Sequence, residues 1–133
     1  MMARILVIDD EKDVRVTVKE VLVRAGYEVD TAGNGNEGLE KLRDLGADLV
    51  ITDVIMPGID GVAVMHQVRT EFQGIPVVVI SGGGNIAPME YEPSAIKTSA
   101  YLASASVAGA DATLTKPFGR ETLLSTIEAL LNG

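Results

Sequence analysis

A chain of 133 residues with 47% hydrophobic but only 4% aromatic content fits one domain whose core is built from Val, Ile, Leu and Ala rather than from aromatic stacking surfaces. Its formal net charge of -8 repels nucleic-acid phosphates and anionic lipid headgroups, so direct nucleic-acid binding is not expected. Cysteine is absent, which excludes disulfides, thiolate metal sites and a Cys nucleophile and fits a cytoplasmic setting; no signal peptide or membrane-length apolar run is present, so no membrane insertion is expected.

In chain order, Arg4 to Ile8 (RILVI) reads as a first strand. Val14, Val18, Val21, Leu22 and Ala25 then recur at helical spacing, with Gly26 where a left-handed helix stop is needed. Glu28 to Ala32 is the second strand. Leu39, Leu42 and Leu45 mark a second helix, opened by the polar stretch Asn34 to Glu37 and closed at Gly46. Asp48 to Thr52 is the third strand. A third helix with Val64, Met65 and Val68 inward starts near Asp60, which suits an N-cap, and ends before Gly74. Pro76 to Ile80 (PVVVI) is the fourth strand.

The stretch from Gly82 to Ser99 is rich in Gly, Pro, Ser and isolated charges, and is longer than most connections inside a compact domain. After it, Ile96, Ala100, Ala103 and Val107 would line a helix ending at Gly109, although many Ser and Thr residues weaken that pattern. Ala112 to Thr115 is the fifth strand, and Leu123, Leu124, Ile127, Leu130 and Leu131 give the final helix the clearest amphipathic stripe in the chain. Nearly continuous apolar strands alternating with helices predict a parallel sheet buried on both faces.

In such a sheet, sites form beyond the carboxyl ends of the strands. Asp9 and Asp10 follow the first strand, Asp53 the third, Ser81 the fourth, and Lys116 with Pro117 the fifth. Carboxylates gathered at one edge repel one another unless a cation neutralises them, and oxygen ligands of this kind suit Mg²⁺, which keeps several waters and is held by one or two carboxylates plus a phosphate. Strand-end aspartates also cap helices, as Asp10 could for the first helix. Capping accounts for neither Asp53 ahead of Pro57 nor the Lys116-Pro117 pair. Gly82-Gly83-Gly84 lacks the Lys-Ser/Thr pair of a phosphate-binding loop, and His66, the only histidine, has no ligand set nearby.

Asp9-Asp10 after RILVI, Asp53 within ITDVIMPGIDG, Ser81 after PVVVI and Lys116-Pro117-Phe118 after the fifth strand together resemble the receiver domain of two-component response regulators. The resemblance spans essentially the whole chain and implies one α/β domain over residues 1–133, flavodoxin-like (CheY-like), doubly wound, with a five-stranded parallel sheet in the order 2-1-3-4-5 and an extended segment around 82–99. It further implies that Asp53 is the phosphoacceptor, that Asp10 ligates Mg²⁺ (or Mn²⁺) with Asp9 helping through water, and that the backbone carbonyl of Ile55 completes the protein ligands alongside Asp53. Lys116 would pair with phosphoryl oxygens and Ser81 would hydrogen-bond them. Neither Ile55 nor Gly83 can position an attacking water, so the phosphorylated form should lose phosphate slowly.

By the same resemblance, the phosphoryl donor is a histidine kinase or histidine phosphotransfer protein. The signal passes to an unidentified protein partner by conformational change, without turnover of a substrate beyond the domain's own Mg²⁺-dependent phosphorylation and dephosphorylation. One departure stands out: the family's usual aromatic, three residues before the Lys, is Thr113 here. Signal relay would then fall to Ser81, the adjoining loop and the helix after the fourth strand. Three other readings compete. A haloacid-dehalogenase-like phosphatase would need an acid where Ile55 stands. A flavin-binding domain would bring its phosphate against Asp9, Asp10 and Glu11. A pseudo-receiver, an interaction module without phosphorylation, would have less reason to keep Asp9, Asp10, Asp53, Ser81 and Lys116.

Overall fold

The computed structural model describes residues 3–53, 61–81, 110–115 and 118–132, and for residues 61, 62 and 81 it describes the backbone alone. The expected helix around Ile96, Ala100, Ala103 and Val107, the 82–99 segment, and Asp60 lie outside the described residues.

The elements are β1 (Arg4–Ile8), α1 (Lys12–Arg24), β2 (Glu28–Ala32), α2 (Gly35–Leu45), β3 (Leu49–Asp53), α3 (Gly61–Glu71), β4 (Val77–Ser81), β5 (Ala112–Thr115) and α4 (Arg120–Asn132). The strands form one sheet in the order β2-β1-β3-β4-β5, and every neighbouring pair is parallel. The parallel sheet is the one expected from the alternating pattern, and its order is the doubly wound, flavodoxin-like one that the family resemblance implies.

Helix ends follow the local chemistry. The Asn34 side chain accepts a hydrogen bond from the Glu37 N–H and caps α2. Gly26 and Gly46 take positive φ values of 102° and 74°, a region costly for a residue with a Cβ, and so terminate α1 and α2.

Two strands sit one residue later than expected. β3 begins at Leu49 rather than Asp48, and β4 at Val77 rather than Pro76. The Asp48 carboxylate instead accepts the Arg4 N–H at 2.8 Å, and proline has no N–H to give a ladder. At their other ends the ladder reaches Asp53, opposite Ile80, and Ser81, opposite Thr115.

Alternate strand residues divide the core in two. Leu6, Ile8, Val50, Val77 and Val79 pack with Leu39 and Leu42 of α2 and Val64, Met65 and Val68 of α3. Ile5, Val7, Leu49, Ile51, Val78 and Ile80 pack with Val18 and Leu22 of α1 and Leu123 and Ile127 of α4. Each fully buried aliphatic side chain contributes about 1.5–3 kcal/mol relative to exposure, so the central strands are pinned from both sides.

Leu45, expected on the buried stripe of α2, is 53% exposed. A spacing of three drifts back by about 60° per step on a 3.6-residue helix. Leu45 therefore lies about 120° around from Leu39 and leaves the core face.

α2 approaches the sheet closely at Gly38, where a Cβ would stand 2.4 Å from Ile8 Cδ1 and 2.7 Å from Cγ1. Ile8 is itself buried in the core cluster with Leu39 and Leu42, so it can retreat only by displacing packed neighbours. Gly38→Ala should therefore destabilise the fold by about 1–3 kcal/mol through overpacking, despite alanine's better helix propensity; a denaturant midpoint at or above wild type would show that α2 can lift off Ile8 freely.

Arg43 of α2 grips Glu71 of α3 through two hydrogen bonds of 2.9 and 2.7 Å. That pairing, helped by a hydrogen bond from Gln67, holds the Glu71 carboxyl well below its usual value of 4.5, at about 2. A depressed carboxylate stabilises the fold above its unfolded value and loses that contribution as pH falls toward the folded one. The stability deficit of Arg43→Ala should accordingly be present at neutral pH and vanish between about pH 4.5 and pH 2, as read from paired denaturation curves across that range.

Candidate functional site: a carboxylate cluster at the sheet edge

Parallel register sets the site. Ile8 is opposite both Ala32 of β2 and Thr52 of β3, so the next residues, Asp9 and Asp53, reach the carboxyl edge of adjacent strands at the same level. The Asp9 N–H donates to the Ala32 carbonyl at 3.1 Å, which carries the ladder one residue beyond β1. Asp53 closes β3, with the buried Thr52 hydroxyl donating to the Asp53 carbonyl at 3.1 Å.

Asp9, Asp10 and Asp53 each offer a carboxylate oxygen, and the three atoms lie within 4.8 Å of one another. Asp9 is 0% and Asp53 4% exposed, whereas Asp10 faces solvent. The set is thus anchored in the sheet and open on one side.

The turn carrying the two adjacent aspartates is tightly held. Asp9 Oδ1 accepts the Glu11 N–H at 2.9 Å, and the Asp9 carbonyl accepts a 2.7 Å hydrogen bond from Arg15 Nη1. The N-cap of α1 is Glu11, in extended conformation and without a side-chain cap bond. Asp10 is therefore not at the cap position, and helix capping does not account for it.

The donor chemistry fits a hard divalent cation. Oxygens sharing an Mg²⁺ at about 2.1 Å stand at most about 4.2 Å apart, so small side-chain rotations close this group around one ion. Gathering three acidic side chains, two of them buried, in one place is costly unless positive charge joins them.

Several expected site residues cannot be placed. Ile55, Lys116 and Pro117 lie outside the described residues, and for Ser81 only the backbone is described, as the last residue of β4. Thr113, at the family's aromatic position, is exposed on the edge strand β5.

Arg15 was not among the residues singled out from the sequence, because an arginine on a surface helix is commonly just solvated. The available signal was its place beside Val14 and Val18, the inward positions of α1. An open groove lined by Ala3, Tyr27, Pro76 and Leu130 among others sits at the opposite, amino edge of the sheet and shares no residue with the cluster.

A parallel sheet of this order, with acidic side chains gathered beyond the ends of β1 and β3, defines an acidic-pocket α/β domain of the doubly wound class. Comparison with known proteins makes the class specific: the model of the response regulator receiver domain matches residues 5–128, and the chain belongs to that family, the receiver domains of two-component signalling. It is 34% identical over 131 residues to the response regulator MprA of Mycolicibacterium vanbaalenii, covering 98% of this chain and 51% of that protein. The chain therefore spans about half the length of the curated relatives it matches.

Among solved structures, NtrX from Brucella abortus in complex with ADP superposes with a TM-score of 0.83 at 34% identity, covering 99% of this chain and 27% of that one. The chemotaxis protein CheY4 of Vibrio cholerae superposes with a TM-score of 0.79 at 33% identity, covering 98% and 100%. Among the described residues no helix is long and apolar enough to cross a membrane.

Removing one charge tests the electrostatic reading of the cluster. Asp10→Asn should raise the thermal midpoint of the metal-free protein by relieving repulsion, and should weaken divalent-cation binding by about tenfold or more. Calorimetric titration with Mg²⁺ and thermal melts of both proteins check the two halves.

Proposed function

We propose that the chain is a phosphoacceptor receiver, in which Asp53 takes a phosphoryl group from the phosphohistidine of a histidine kinase or histidine phosphotransfer protein. The observation that carries this reading is the meeting of Asp9, Asp10 and Asp53 within 4.8 Å at the carboxyl edge of the sheet. In the transfer, an Asp53 oxygen forms a bond to phosphorus as the phosphorus–nitrogen bond of the donor breaks, and the leaving imidazole nitrogen keeps the electron pair and takes up a proton. The product is an aspartyl phosphate.

Asp10 is assigned as a direct ligand for Mg²⁺ or Mn²⁺, with Asp53 and the Ile55 backbone carbonyl completing the protein contribution. Asp9 is assigned a supporting role through water. That assignment is supported by its burial and by the engagement of Oδ1 with the Glu11 N–H. When bound, the ion supplies positive charge that offsets the repulsion between the attacking carboxylate and the incoming phosphoryl oxygens.

The roles of Lys116, as the ammonium on the phosphoryl oxygens, and of Ser81, as a hydroxyl that turns toward them, rest on the match of Ser81 after PVVVI and Lys116-Pro117-Phe118 to the family pattern. The domain comprises residues 1–133, with the 82–99 segment as an extended connection. It acts in the cytoplasm, and its phosphorylated form changes shape toward a downstream protein partner. The exposed Thr113 in place of an aromatic supports relay through Ser81 and the segment after it. With Ile55 and Gly83 unable to position water, the aspartyl phosphate is long-lived.

The competing reading is a pseudo-receiver that folds and binds partners without phosphorylation. Incubation with acetyl phosphate and Mg²⁺, followed by intact-mass measurement, separates the two. Wild type should gain one phosphoryl group and Asp53→Asn none; absence of the added mass in wild type would favour the pseudo-receiver.

A further inference from the structure

We propose that Arg15 is a positioning residue that braces the turn carrying Asp9 and Asp10 against the turn between β2 and α2, and thereby sets the cation affinity of the carboxylate cluster. The inference rests on the cation-binding reading above and extends it to a residue that touches neither the ion nor the phosphoryl group.

Arg15 closes the first turn of α1, five residues past Asp10, and is half-buried. Its Nη1 donates to the Asp9 carbonyl at 2.7 Å. The same guanidinium faces the β2–α2 turn, with Nη1 3.4 Å and Cζ 3.8 Å from where a Cβ on Gly33 would stand. The far side of that turn is fixed in its own right: the Gly33 N–H donates to Glu37 Oε1 at 2.9 Å, and Lys41 reaches both the Thr31 carbonyl and Glu37. Arg15 therefore stands between two loops that each follow a strand at the carboxyl edge, bonded to the one that bears two of the three clustered acids and facing the other.

Two physical effects oppose each other here. A cation near the cluster repels an incoming metal ion, whereas a fixed turn holds Asp10 at the distance the ion needs. The geometry favours the second effect. Arg15 hydrogen-bonds a main-chain carbonyl, and its charge also faces Glu37, whose carboxyl is held below the usual value most by the Gly33 N–H, then by Lys41, and least by Arg15. The tether acts directly on the main chain that carries Asp9 and Asp10. Groups that orient metal ligands from behind typically contribute 10- to 100-fold in affinity.

The test is an Mn²⁺ titration followed by electron paramagnetic resonance, with Mg²⁺ competition, on wild type, Arg15→Ala, Arg15→Gln and Arg15→Lys, alongside thermal melts without metal. Arg15→Ala should bind Mn²⁺ about tenfold more weakly. Arg15→Lys, which keeps the charge and one long-reaching donor, should recover most of the loss. A change in thermal midpoint with cation affinity unaltered would reduce Arg15 to a fold-stabilising contact and overturn the proposal. So would tighter binding by Arg15→Ala and Arg15→Gln, which would make repulsion the dominant effect. If Arg15→Ala fails to fold, the Gln and Lys variants carry the same comparison. Wild type failing to bind Mn²⁺ would remove the cation reading itself, whereas normal wild-type binding with indifferent variants sinks only the role of Arg15.

Discussion

The parallel pairing of β1 with β3 is the constraint on which the rest of the structure depends. It places Ile8 opposite Thr52, and so brings Asp9 and Asp53 to the edge of the sheet side by side. Like charges in that position would separate if the backbone allowed it. The backbone does not, because both strands are covered on each face by interlocking aliphatic side chains. Repulsion between the acids is thus converted from a force that would distort the loop into an affinity for positive charge.

The two edges of the sheet handle acidic groups differently. At the amino edge, Arg4 is paired with Asp30 at 2.8 Å and Glu28 at 3.0 Å, and its N–H meets Asp48. The Arg4 side chain thus joins β1 to β2, and its backbone N–H ties in Asp48 just ahead of β3. At the carboxyl edge, the nearby Arg15 gives its hydrogen bond to the Asp9 carbonyl, and the carboxylates of Asp9, Asp10 and Asp53 converge. An arrangement that stabilises the fold therefore occupies one end, and one suited to binding occupies the other, as expected for an open parallel sheet.

Most of the fold was legible in the sequence because its signals were local and redundant. β1, β2 and β5 fall at the residues expected, the first from its apolar run, and Gly26 and Gly46 stop their helices through positive φ. β3 and β4 shifted by one residue because Asp48 and Pro76 have other commitments, the first to the Arg4 N–H and the second to having no N–H at all. Leu45 leaves the core because a spacing of three stays near a helical face for one step, from Leu39 to Leu42, and drifts off it by the second. Asp10 suits a cap by residue type, but the N-cap of α1 is Glu11.

The sequence by itself determined the class of sheet, the covering of both its faces, and which acids end which strands, since these follow from residue type and periodicity along the chain. Only the tertiary structure decided that Asp9, Asp10 and Asp53 converge within 4.8 Å, that α2 settles onto Ile8 through Gly38, and that Arg15 reaches the Asp9 carbonyl. These depend on strand register and on helix-to-sheet distance. Both are set by how many side chains pack together at once, a property that no local stretch of sequence encodes.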